Sequence, residues 1–134
     1  MCKRGAGALD CGAMNWTSVA IIAALFVLLV VLKRGGQVSA RAAAGYLRDG
    51  ALVMDVRTAG EFTAGHLPGA VNLPLSEIET AIGRKVKSKD RVVLLYCQSG
   101  VRSGEARRKL RAMGYEHAFN MGSYGRAERI IGSH

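Results

Sequence analysis

The stretch 96-YCQSGVRSG-104 sets a cysteine at the end of an apolar run and follows it with small residues, an arginine and a serine. Cys97 is the member of this set that can make and break a covalent bond, because a thiolate is a strong nucleophile. Behind it come Gln98, Ser99, Gly100, Val101 and Arg102, with a helix expected from Ser103. A loop wrapped between strand and helix in this way turns successive backbone N–H groups inward as a nest for an anion. The helix adds the partial positive charge of its N-terminus. Such surroundings lower a cysteine pKa from about 8.5 toward roughly 3.5–7.5. Arg102 supplies a fixed positive charge for an incoming anion. The plainer alternatives are an inert cysteine buried at a strand end and an arginine left in solvent at a helix start.

That chemistry needs a scaffold presenting the carboxyl end of a central strand. Ser39 caps a helix through about Arg48, stopped by Asp49-Gly50. Ala51 to Val56 is a short apolar run read as a buried strand. Thr58 caps a helix to Ala64 with Glu61 in its first turn, and Gly65 to Gly69 turns the chain. A strand over Ala70–Leu73, a helix over Ser76–Ile82 and the polar loop GRKVKSKD follow. Arg91 to Tyr96 reads as the strongest strand of the chain. Ser103 to Met113 places Ala106, Leu110 and Met113 on one helix face, with Gly114 past its end. His117 to Met121 is a last strand, and the tail from Ser123 is helical. Alternating strands and helices with fully apolar central strands give an α/β fold, a central parallel sheet flanked by helices. Ligands in such sheets bind beyond the carboxyl ends of the strands, where Cys97 stands.

Here the sequence resembles a known family. CQSGVRS, a cysteine opening a loop that closes on arginine, resembles the active-site loop of the rhodanese family of sulfurtransferases. The upstream run 55-DVRTAGEFTAGHLPGAVNLPL-75 resembles the family's Asp-x-Arg, Glu-Phe and Gly-His-(Ile/Leu)-Pro-Gly-Ala pattern, and GYEHAFNMGS resembles its usual close. The likeness covers about residues 37–122. It implies that Cys97 takes a sulfane sulfur from a small anionic donor such as thiosulfate, or from a persulfide. The Cys97 persulfide then passes that sulfur to a thiol or to cyanide. The N–H groups from Gln98 to Ser103 would stabilise both thiolate and persulfide. No metal and no organic cofactor is implied. Asp55 and Arg57 match the pair that braces the family's active site, Glu61 is a structural partner for an arginine, and His66 has a structural role in its turn. Two other functions stand beside this one. A cysteine phosphatase or arsenate reductase would have five residues between cysteine and arginine, against four here. A non-catalytic recruiting module often lacks the cysteine that this chain keeps.

The chain has 134 residues and a mean hydropathy of +0.13, and its apolar residues are not spread evenly. From Trp16 to Leu32 no residue is charged. As a helix that run measures about 26 Å, close to the minimum for a bilayer, so residues 16–34 are expected to form a transmembrane helix ended by Lys33 and Arg34. The expected organisation is an extension over 1–15, the span over 16–34, and an α/β domain over 37–134 after a Gly35-Gly36 hinge. Val38-Ser39-Ala40 resembles a signal-peptide cleavage site, but the intervening charges favour an uncleaved anchor. Lys33, Arg34 and Arg41 after the span, against Lys3 and Arg4 before it, place the domain in the cytoplasm. Met14 is expected as the native start, which would strengthen that bias. Cys2 and Cys11 lie in the extension, so the domain keeps Cys97 as a free thiol, in keeping with a reducing compartment.

Net charge is +9, and from Gly35 onward fifteen Lys and Arg face nine Asp and Glu. The basic run Arg107, Arg108, Lys109 and Arg111 reads as a solvated helix face, with Glu105 paired to Lys109 and lipid contact as the sharper alternative. No aromatic interleaving or base-reading motif accompanies this charge, so nucleic acid is not an expected partner.

Overall fold

A computed structural model of the chain describes residues 15–34 and 36–133, without the side chains of residues 33 and 34. The expectations resting on Cys2, Cys11, Met14, Gly35 and the charges at 33 and 34 lie outside the described residues. The chain divides into two units, residues 1–35 and 36–134.

In the first unit one helix, α1, covers Trp16–Arg34. Its apolar side chains are exposed on every side, with Ile22, Phe26 and Leu32 each 67% exposed. Among the described residues, however, no helix is long and apolar enough to cross a membrane. The transmembrane span expected over 16–34 is therefore not supported. The physical reason is length: the charge-free part stops at Leu32, and about 26 Å of helix falls short of a hydrocarbon core of about 30 Å.

The second unit builds its sheet from four described strands: β1 (Leu52–Asp55), β2 (Val71–Asn72), β3 (Val93–Cys97) and β4 (Ala118–Ser123). They run parallel in the order β2-β1-β3-β4. Parallel neighbours require crossovers, and the helices supply them: α2 (Ala40–Arg48) precedes the sheet, α3 (Ala59–Ala64) and α4 (Ile78–Lys85) follow β1 and β2, α5 (Val101–Ala112) joins β3 to β4, and α6 (Tyr124–Gly132) ends the fold. All five residues of β3 are buried, which explains why it reads as an unbroken apolar run. Side chains alternate across it. Val93, Leu95 and Cys97 face Ile82, Ala106 and Leu110 on one side, while Leu94 and Tyr96 face Ala43, Ala127 and Ile130 on the other.

Several boundaries differ from the sequence reading. α4 runs on to Lys85 through the stretch expected as loop, and the strand expected over 70–73 keeps two residues. More consequential is α5, which starts at Val101 rather than Ser103. Its N-cap Gly100 has φ +91°, a left-handed conformation that turns the chain into the helix early. Arg102 and Ser103 therefore belong to the first helical turn, whose backbone N–H groups have no partners within the helix. The expected Glu105–Lys109 pair is absent from the described ion pairs; Lys109 Nζ instead meets Glu79 Oε2 at 3.0 Å, linking α5 to α4.

Register brings the functional segments to one edge. Asp55 pairs with Tyr96 and Cys97 with Ser123, so β1, β3 and β4 end side by side. Tyr96 also reaches across to the turn after α3, where its hydroxyl accepts the buried Leu67 N–H at 3.2 Å. Tyr96→Phe would strand that amide, and urea unfolding should show a loss of about 1–3 kcal/mol.

Candidate functional site

Cys97 is fully buried and belongs to the apolar cluster between the sheet, α4 and α5. Its sulfur is nonetheless not surrounded by hydrocarbon alone. The N–H of Gly100 donates to Sγ at 3.0 Å, and the Ser103 hydroxyl lies 3.5 Å away. The strand alternation aims the side chain at the start of α5, and Gly100 folds its own amide back onto it. Burial pushes the thiol pKa up. Hydrogen bonds from the Ser103 hydroxyl and from the amides of Ser103, Gly100 and Ser99 outweigh that, and the net direction is down.

The Ser103 hydroxyl has one proton and two claimants. Its oxygen lies 2.7 Å from Asn120 Oδ1 as well as 3.5 Å from Sγ. The Asn120 amide is fixed in orientation, because Oδ1 accepts the Gly122 N–H at 2.8 Å and Nδ2 donates to the Gly100 carbonyl at 3.2 Å. Asn120 thus ties together the loop, the serine and a β-bulge, where the register shifts between Leu95 and Tyr96. Gly100 rests against that bulge: a Cβ added there would stand 3.2 Å from the Gly122 backbone.

Asp55 and Arg57 stand beside the loop. Asp55 is fully buried and Arg57 is 6% exposed. Arg57 Nε donates to both Asp55 oxygens at 3.1 and 3.0 Å, and Nη2 reaches Oδ2 at 2.8 Å. The same Nη2 donates to the Gly65 carbonyl at 2.6 Å, while Nη1 faces Gln98 Oε1 at 3.5 Å. The guanidinium also lies over the Tyr124 ring at 4.9 Å and faces Tyr96 at 5.9 Å. One side chain thereby connects the exit of β1, the turn after α3, the cysteine loop and the start of α6.

Arg102 does not stand free in solvent. Its Nη1 and Nη2 donate to Glu61 Oε2 at 2.8 Å and Oε1 at 3.0 Å, a bidentate pair joining α5 to α3. Glu61 also closes the capping box of α3 with Thr58. Arg102 first, then the Thr58 backbone, hold the Glu61 carboxyl at about 2. His66 lies apart from the sulfur: exposed, stacked on Phe62 at 3.8 Å, with Nδ1 2.9 Å from the Phe62 carbonyl. Of the other loop positions, Gln98 and Ser99 are exposed, and Val101 is 63% exposed.

A cleft of about 290 Å³ opens beside the loop, lined by Arg57, Glu61, Ala64, Gly65, Gln98 and Tyr124. The structure thus brings Asp55, Arg57, Glu61 and the cysteine loop together and leaves His66 outside the cleft lining. It adds Asn120, Tyr96 and Tyr124, which the sequence reading did not single out. Asn120 had a signal of its own, an amide side chain inside a buried strand, which must find partners.

Three outcomes follow. Gly100→Ala forces a side chain into left-handed backbone and should cost about 1–2 kcal/mol in urea unfolding while slowing alkylation of Cys97. Ser103→Ala should move the pH midpoint of Cys97 alkylation upward, because a donor to the thiolate is lost. The stability that Glu61 contributes is present above about pH 4.5 and lost as pH falls toward about 2. Thermal melts of the parent chain and Glu61→Gln should therefore converge over that interval.

A family model described as Rhodanese-like domain matches residues 30–124. The chain is 39% identical over 69 residues to thiosulfate sulfurtransferase PspE of Escherichia coli, which takes in 52% of this chain and 66% of that protein. It is 36% identical over 82 residues to thiosulfate:glutathione sulfurtransferase of Homo sapiens, covering 52% of this chain and 71% of that one. The matched segment thus falls just short of two thirds of the bacterial relative's length. Among solved structures, the human single-domain sulfurtransferase TSTD1 superposes with a TM-score of 0.60 at 30% identity, over 70% of this chain and 96% of that chain.

Proposed function

Because the chain belongs to the rhodanese-like domain family, we propose that it is a thiosulfate sulfurtransferase working through a persulfide on Cys97. The observation that carries this reading is the Cys97 sulfur receiving the Gly100 amide at the N-terminus of α5. It favours the thiolate over the thiol, and two relatives are named for transfer from thiosulfate.

The chemistry balances without any other group. The Cys97 thiolate attacks the sulfane sulfur of thiosulfate; an S–S bond forms, the bond to the sulfonate sulfur breaks, and sulfite leaves with the electron pair. A thiolate acceptor then attacks the outer sulfur of the persulfide and takes it as a new persulfide, returning Cys97 as thiolate. Cyanide in the same role leaves as thiocyanate. The amides at the head of α5 are the donors available to the thiolate and to the persulfide's negative sulfur.

A second reading rests on the complete burial of Cys97: a recruiting module whose thiol is never presented to substrate. Intact mass spectrometry of the full chain after thiosulfate treatment separates the two. One added sulfur, absent in Cys97→Ser, is the expected result. No added mass together with unchanged thiocyanate formation in Cys97→Ser would establish the module instead.

The proposal extends to location. The apolar side chains exposed around α1 favour lipid over water by about 25 cal/mol per Å², and Lys33 and Arg34 follow the uncharged run. We take α1 as the segment that attaches the protein to a membrane, with the α/β domain in the cytoplasm. In fractionated cells the full chain should sediment with membranes; recovery in the soluble fraction would refute this.

A further inference from the structure

Both arginines beside the cysteine loop are already committed to carboxylates. Arg57 spends Nε and Nη2 on Asp55, and its Nη2 also serves the Gly65 carbonyl. Arg102 spends both terminal nitrogens on Glu61. The formal charges of Asp55, Arg57, Glu61 and Arg102 cancel, and the thiolate then leaves this corner of the domain negative. Thiosulfate is a dianion. Its attack by Cys97 gathers three negative charges where no described guanidinium is uncommitted.

The two pairs differ in how readily they yield. Asp55–Arg57 is buried, at 0% and 7% side-chain exposure, and separating it would strand a charge without water. Glu61–Arg102 is about one third exposed on both sides, at 36% and 35%. Solvent screening makes such a pair weak enough for another anion to compete for the guanidinium. Arg102 sits in the first turn of α5, two residues beyond the Gly100 amide that holds the sulfur. Glu61 is held a second time, since Oε2 also takes the Thr58 N–H at 2.9 Å and the Thr58 hydroxyl at 3.1 Å. A donor anion that drew on Arg102 would have to take it from Glu61, beside a carboxylate still bonded to Thr58.

We propose that Glu61 sets donor specificity: by competing for Arg102 it handicaps dianionic donors such as thiosulfate relative to persulfides of low charge. The inference rests on the sulfurtransferase reading and names the donor class that the same site prefers. A protonated persulfide R–S–SH needs no cation to approach. The Cys97 thiolate attacks its outer sulfur, the new S–S bond forms, the old one breaks, and R–S⁻ leaves with the electron pair. The proton stays on the transferred sulfur, and one negative charge is present before and after.

Glu61→Gln isolates the charge. Glutamine serves the third position of a capping box as glutamate does, so the contact with Thr58 persists while the carboxylate's charge is lost. The experiment uses the full chain in detergent and measures steady-state transfer to cyanide from thiosulfate and from 2-hydroxyethyl persulfide, with sulfate as an unreactive dianionic inhibitor. In Glu61→Gln the KM for thiosulfate should fall about 3- to 10-fold, and sulfate should inhibit more tightly by a similar factor. kcat/KM for the persulfide, which reacts in its protonated form, should stay within about 2-fold, since that form carries no net charge for Glu61 to repel. A purely structural Glu61 would instead give lower kcat for both donors, with sulfate inhibition unchanged, and that result overturns the proposal. So does an unchanged or raised KM for thiosulfate. If the parent chain transfers sulfur from neither donor, the sulfurtransferase reading fails and this inference falls with it.

Discussion

A thiol shut away from water loses the solvation that would favour its charged form. Cys97 is fully buried, and desolvation alone would make it an unreactive core residue. The opposing effect is local and geometric: amides left without helical partners at the head of α5 meet the sulfur at the end of β3. Everything else near the site serves that meeting. Strand alternation points Cys97 toward α5 rather than toward the Tyr96 side. The left-handed turn at Gly100 lets the chain fold back on itself within three residues. Burial strengthens each of these hydrogen bonds, because fewer waters compete for donor and acceptor.

The two faces of the sheet divide the labour. On the α5 side lies the cysteine sulfur, with Ser103 and Asn120 behind it. On the other side lie Tyr96 and the turn after α3. Arg57 crosses between the segments at the carboxyl edge, touching residues from four of them. Its own charge is cancelled by Asp55, so it acts as a rigid polar strut more than as an anion receptor. Arg102, shallower and less confined, is the guanidinium with freedom to change partner.

How much of this could be read from residues alone depends on sequence distance. The strand ending in Cys97, the cap at Thr58 and the α/β alternation are local patterns, and each is where the one-dimensional reading put it, within a few residues. The start of α5 was placed two residues late, because Val101 and Arg102 look like loop when the φ of Gly100 is unknown. The partner of Arg102 is 41 residues away and that of Ser103 is 17 away, distances over which a single sequence carries no pairing signal. Glu105 looked like the partner of Lys109 because both lie on one helix, yet Glu79 on the neighbouring helix takes that place. Seventeen uncharged residues sit at the lower limit of membrane-spanning length, and a helix of that size does not by itself make a crossing.

Gln37 forms a parallel bridge to Asn120, and Val38 donates its N–H to the Asn120 carbonyl at 2.9 Å. The Gln37 side chain covers Gly122, where an added Cβ would meet it at 3.1 Å. The outermost strand is thus hemmed by a few residues preceding the first domain helix. Shortening the protein to begin at that helix would bare backbone groups of β4 and loosen the asparagine that steadies Ser103. Unpaired strand backbone invites pairing with another copy, so such a fragment would face self-association and a slackened cysteine loop from one and the same cut.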